Sequence, residues 1–211
     1  LGFGSYQTAW SWCHKIRTAM RKEGRKKLFG YVEVDEGLYG GKKKGKRGRG
    51  AENKHYFGVG IELGPGKSIG RIRMEIIEDA SGSSLKSFIE NNVVKESNVI
   101  TDGWNGYNFI KDLKYEHSIV DTDDPEKKLP HVHLVVSLLK RWILGIHQGS
   151  INRKHLQLYF DEFVFRFNRR KSKSRGKVFF RLMQEVVVHK VIPYWRLVGR
   201  ISPNKPLKDA A

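Results

Sequence analysis

Two strand-like segments of this 211-residue chain end in aspartate, and that pairing constrains its fold more than any other feature. The first segment is Tyr31-Val-Glu-Val-Asp35. The second is Asn98-Val-Ile-Thr-Asp102, followed at once by Gly103 and Trp104. The two-residue period of a strand puts Tyr31, Glu33 and Asp35 on one face and Val32 and Val34 on the other. Acids this distant in sequence meet only through a tertiary fold. If their strands are neighbours, the two carboxylates can hold a hard cation between them. The plainer alternative is that each aspartate closes its strand as a turn residue.

The rest of the pattern supplies the elements such a fold needs. Residues 5–22 read as an amphipathic helix capped by Ser5, with Trp10, Cys13, Ile16 and Met20 at helical spacing. A basic linker runs on to Lys27, and a strand spans 28–36. A Gly-dominated basic loop follows, carrying Lys42, Lys43, Lys44, Lys46, Arg47 and Arg49. Residues 55–63 and 69–77 read as a hairpin. Its turn contains Gly66-Lys-Ser68, but the first glycine of a phosphate-binding loop is missing, because Ile61 stands there. Then come a helix over 81–91, the strand ending at Asp102, a short helix over 104–113 and a strand over 115–120. Three further helices cover 131–146, about 152–170 and 177–189, and the last twenty residues read as loosely ordered. Three strands, helix, strand, helix, strand and then helices is a ribonuclease H-like α/β order, a mixed sheet flanked by helices whose first three strands form an antiparallel meander.

The helix over 131–146 carries a second chemical signal. At about 100° per residue, His133, Ser137, Lys140 and Arg141 fall on one stripe. Leu134, Val135, Val136, Leu138, Leu139, Trp142 and Ile143 cover nearly all the rest, which predicts a helix buried on several sides with its stripe facing a cavity or site. His133 can ligate a metal and Lys140 can hold a phosphate oxygen. The alternative for His133 is a hydrogen-bonded core histidine. His131 stands about 200° round the helix from His133 and is the poorer candidate. Asp161 and Glu162, on the next helix, read as structural acids that cap or pair with its Arg-rich end.

Charge narrows the partner. Lys and Arg number 40 against 22 Asp and Glu, a net +18, which points to a polyanion. Besides the loop at 42–49, the segment 165–177 is rich in base, with Arg166, Arg169, Arg170, Lys171, Lys173 and Arg175 as candidate DNA contacts. One cysteine, Cys13, excludes an internal disulfide and a multi-cysteine zinc site, and fits a reducing, intracellular setting. No apolar run reaches membrane-spanning length.

Four segments in this order resemble the ISXO-type transposases, bacterial insertion-sequence enzymes related to the eukaryotic Merlin elements. They are Val32-Glu-Val-Asp-Glu36 with Gly40-Gly41, and Thr101-Asp-Gly-Trp104 with Gly106-Tyr107. The third is Ser137-Leu-Leu-Lys-Arg-Trp142 with Gly145, and the fourth Tyr159-Phe-Asp-Glu-Phe163 leading into Arg166-Phe-Asn-Arg-Arg170. The resemblance covers about residues 1–190. It implies a ribonuclease H-like domain that cuts DNA with two divalent metal ions, Mg or Mn. Asp35 and Asp102 would be metal ligands and catalytic residues. The third ligand, often Glu but Asn or His in some subgroups, maps to His133, and the family's helical lysine to Lys140. Family members usually begin with a zinc ribbon and a helix-turn-helix region. Here the ribbon is absent and residues 1–27 resemble only the end of that head, as in an N-terminally truncated chain.

The resulting expectation is a helical remnant and linker over 1–27, a catalytic domain over 28–190 and a tail over 191–211. Its function would be metal-dependent phosphodiester cleavage and strand transfer at insertion-sequence ends. Its partners would be double-stranded DNA and further copies of the chain, in the cytoplasm on the nucleoid if the host is bacterial. Two other readings are a different ribonuclease H-like nuclease and a non-catalytic DNA-binding remnant of a decayed element.

Overall fold

The computed structural model describes residues 2–21, 24–40, 54–120, 123, 128–148 and 151–199. The chain divides into two compact units, one of Gly24–Arg170 and one joining Leu1–Glu23 to Lys171–Ala211. The residues 171–190, expected in the sheet domain, thus group with the chain ends.

The larger unit is built on a five-stranded sheet. Its strands are β1 (Tyr31–Tyr39), β2 (His55–Leu63), β3 (Ile69–Ile77), β4 (Asn98–Thr101) and β5 (Glu116–Ile119), in the order β3-β2-β1-β4-β5. β1, β2 and β3 are antiparallel neighbours, whereas β4 and β5 add to β1 in parallel. This is the ribonuclease H-like arrangement expected from the element order. β1 runs three residues past the expected end, because Gly37, Leu38 and Tyr39 continue to pair with β2. Leu28 lies outside the strand and makes an isolated bridge with Val93.

Alternation along the strands creates two cores, one on each face. On the first face Phe57, Val59, Ile61, Ile72 and Met74 pack under two helices, α3 (Pro130–His147) and α4 (Arg153–Asn168). On the second face Val32, Val34 and Val99 pack under α2 (Gly82–Asn92) and a 3-10 segment, Asn105–Asp112, which replaces the α-helix expected at 104–113. Ser81 caps α2 by accepting from the Ser84 amide. The closeness of α2 to β2 requires glycine at position 58, where a Cβ would stand 2.7 Å from the Phe88 ring.

α3 departs from the expected burial on several sides. Only Val132, Val135, Leu139 and Ile143 are buried. Leu134, Leu144 and Ile146 are exposed, because the helix lies on the sheet with one face and leaves the opposite face open.

α4 closes the outer edge of β3 with side-chain amides. Asn168 accepts from the Ile72 amide at 2.8 Å and donates to the Ile72 carbonyl at 3.2 Å. Gln157 accepts from the Ile76 amide at 2.9 Å and donates to the Met74 carbonyl at 3.3 Å. The two side chains take the place of a missing neighbouring strand.

The smaller unit is helical. α1 (Tyr6–Met20), capped by Ser5, packs with α5 (Arg175–Val188) and α6 (Tyr194–Leu197). His14, Ala19 and Leu197 are buried there. The short α6 lies in the stretch expected to be loosely ordered. α5 buries no residue, and Phe179, Phe180, Val187 and Val188 are exposed on it.

Candidate active site

The register between β1 and β4 pairs Tyr31 with Asn98, Val32 with Val99 and Glu33 with Ile100. Carried two residues further, the same register sets Asp35, midway along β1, level with Asp102, the residue just after β4, both on the α3 face. Each is half-buried. Asp35 Oδ1 accepts from the Glu36 amide at 2.8 Å, and Asp102 Oδ1 from the Trp104 amide at 3.1 Å. Gly103, at φ +80°, makes the turn that returns the chain over Asp102.

Tyr107 reports the charge gathered here. Its ring is fully buried and its hydroxyl donates to Glu36 Oε2 at 3.0 Å. Burial pushes this phenol well above its ordinary range, and the carboxylates of Glu36, Asp35 and Asp102 push it the same way. The phenol therefore keeps its proton in the field of three acids. On the far side of β4, Thr101 Oγ1 bonds His117 Nε2 at 2.9 Å and accepts from the Gly103 amide at 3.4 Å. Burial, and then Lys111, hold the His117 imidazole below its usual range.

Two oxygen-bearing side chains on neighbouring strands suit a divalent cation that prefers oxygen ligands. His133 and Lys140, the other two candidate catalytic residues, lie on the exposed face of α3. Among the described residues, no three His, Cys, Asp or Glu side chains come together as a metal-binding group. The strand register thus sets Asp35 level with Asp102, while His133 and Lys140 stand on α3.

The helix start reveals two residues that periodicity passed over. Glu33, on β1 and buried, accepts from His131 Nδ1 at 2.6 Å and from the Val132 amide at 3.2 Å. Pro130 opens α3, and the residue at its N-cap is Leu129, which has no capping side chain. That local lack is the sequence signal that an acceptor must come from elsewhere in the fold.

The candidate DNA contacts separate into two groups. Arg166 pairs with Glu162 at 3.2 Å, and the Arg169 guanidinium lies 3.7 Å over the Phe165 ring. Arg170 donates to the carbonyls of Ile69 and Gly70 and lies over Phe167. All three therefore have partners within the domain. Asp161, bonded by Gln157, and Glu162 act structurally as expected. Lys171, Lys173 and Arg175 are exposed in the smaller unit. Lys42, Lys43, Lys44, Lys46, Arg47 and Arg49 lie outside the described residues.

Charge is distributed unevenly between the units. The smaller holds 14 Lys and Arg against 3 Asp and Glu, a net +11 of the chain's +18. The larger holds the remaining +7, and six of its basic residues sit in the loop at 42–49. The sheet domain without that loop is close to neutral.

The family model of the ISXO2-like transposase domain matches residues 27–168. The chain belongs to this family. The match begins at the linker before β1 and ends with α4, so it spans the sheet, both aspartates and α3. No curated protein matches the chain. Among solved structures, it is similar to a chain of the simian T-cell lymphotropic virus intasome in complex with PP2A regulatory subunit B56 gamma. That likeness has a TM-score of 0.45 and 11% identity, over 88% of this chain and 61% of that one. It is also similar to a chain of the pre-cleavage Mos1 transpososome, with a TM-score of 0.34 and 12% identity, over 92% of this chain and 66% of that one. The chain spans less than two thirds of either.

Proposed function

We propose that this member of the ISXO2-like transposase family is a catalytic domain that cleaves DNA at insertion-sequence ends and joins the freed 3′ end to target DNA. The observation that carries the reading is the alignment of Asp35 with Asp102 on one face of two adjacent parallel strands, within the span matched by the family. Asp35 and Asp102 would hold divalent cations, Mg or Mn, with His133 as the third ligand. Bound there, such ions supply charge stabilisation for the attacking and leaving oxygens of an in-line displacement.

The chain's own residues do the rest. The Trp104 amide orients the Asp102 carboxylate, and the Glu36 amide orients that of Asp35. Lys140 would neutralise charge on the scissile phosphate. The loop at 42–49 and the exposed Lys171, Lys173 and Arg175 would hold the duplex through its phosphates, with further copies of the chain assembling on the same DNA.

A test is nicking of supercoiled plasmid by purified protein in Mn²⁺. Asp35→Asn and Asp102→Asn should each abolish nicking and leave DNA binding intact. Wild-type nicking by the double variant would overturn the assignment. A second reading, a DNA-binding remnant without catalysis, is favoured by the absence of a three-ligand group among the described residues. Under that reading the wild-type protein binds DNA and never nicks it. Joining of a 3′ end to a second DNA separates a transposase from a nuclease that only cuts.

A further inference from the structure

We propose that Glu33 and His131 form a positioning clamp that fixes the start of α3 against the strand carrying Asp35. The proposal rests on the metal-site reading above and adds two residues to it, neither of them a ligand.

The clamp follows from where one carboxylate sits. Glu33 is two residues from Asp35 on the same face of β1. Its two oxygens bond His131 and Val132, the two residues immediately before His133. A single buried side chain thus joins the strand that holds one candidate ligand to the helical turn that holds another. α3 has no capping side chain of its own, so its first turn is tied down through β1. A carboxylate also suits the positive end of a helix dipole.

Stability alone does not call for this design. Burying a carboxylate carries a desolvation cost that its partners must offset, and an apolar residue at 33 with Ser or Asp at 129 would cap the helix more simply. What the buried acid adds is registry, because α3 cannot slide or rotate on the sheet without breaking both bonds. His131 bonds Glu33, two residues before Asp35 on the same face, so the pair acts on the strand and the helical turn that carry two candidate ligands; loss of residues that orient ligands weakens metal binding about tenfold or more.

The experiment uses the full chain and Mn²⁺ alone, with binding measured by titration calorimetry. Thermal melting and amide hydrogen exchange are followed in parallel. His131→Ala should lower Mn²⁺ affinity about tenfold and speed exchange at Val132 and His133. His131→Asn, whose side-chain amide can still donate to Glu33, should restore most of both. Val164→Ala, a core change in α4 away from the site, controls for lost stability and should leave Mn²⁺ affinity unchanged.

Wild-type Mn²⁺ affinity in His131→Ala, alongside lost affinity in Asp35→Asn, overturns the clamp. So does an equal loss of affinity in Val164→Ala, which would make the effect one of general stability. Wild-type affinity in Asp35→Asn overturns instead the metal-site reading beneath it. In that case exchange decides alone, and unchanged protection at Val132 and His133 in His131→Ala refutes the clamp.

Discussion

Asn168 offers the sharpest test of how this domain holds its sheet. The Ile72 residue it bonds is fully buried; its amide donates to the Asn168 side chain, and its carbonyl accepts from Asn168 and, at 2.9 Å, from the Arg73 guanidinium. Asn168→Ala removes both of its bonds and orphans the buried amide, while the carbonyl keeps its bond from Arg73. The one orphaned group sets the expected loss at about 1–3 kcal/mol. That is a large part of the roughly 5–15 kcal/mol that holds a domain together. Urea denaturation followed by tryptophan fluorescence should show a lower midpoint with an unchanged slope. Asn168→Asp sharpens the test. At neutral pH its carboxylate can accept from the Ile72 amide, but it sets a second negative oxygen against the Ile72 carbonyl. Below about pH 4 the protonated acid can donate again, so its deficit relative to wild type should shrink as the pH falls. A loss under about 0.5 kcal/mol for Asn168→Ala would put the site among ordinary surface positions and refute the reasoning.

Four further outcomes are expected. Replacing Lys42, Lys43, Lys44, Lys46, Arg47 and Arg49 with Ser should flatten the salt dependence of DNA affinity, and an unchanged slope in filter binding would remove the loop from the interface. His133→Ala should lose nicking in both Mn²⁺ and Mg²⁺ while His133→Glu keeps it and shifts preference towards Mg²⁺, because magnesium favours an all-oxygen shell; an active His133→Ala would reopen the search for the third ligand. Gly58→Ala should cost about 1–3 kcal/mol, since its Cβ meets the Phe88 ring at 2.7 Å, and Gly58→Ala with Phe88→Leu should recover part of that loss in thermal melts. Tyr107 has a folded-state pKa raised above its unfolded value, so its contribution is intact below about pH 10 and falls as the pH rises from there; Tyr107→Phe should flatten that alkaline decline in stability.

The sheet was legible because strand alternation is local. Val32, Val34 and the hairpin strands declare their faces residue by residue, and the face of Asp35 follows from the same count, although β1 pairs on past it to Tyr39. α3 was misread for a related reason. Helical periodicity gives the angle at which Leu134 and Leu144 project, but not whether anything lies there to cover them, and nothing described does. His131 was set aside by that same angle. It points away from His133, and its role depends on Glu33, a strand residue almost a hundred positions earlier. The Arg-rich end of α4 reads in sequence as a grip for phosphate. Its interleaved Phe165 and Phe167 are the sign that the Arg169 and Arg170 guanidinium groups also stack within the domain.

The amide fastening along β3 gives the sheet a direction of growth. A strand from another chain cannot add beside β3 without evicting α4, whereas β5 is short and, among the described residues, pairs on one side only. From β5 to β1 is a step of two strands, roughly 10 Å. A partner that extended the sheet would therefore arrive next to Asp102 and Asp35, and the far edge would stay closed to it.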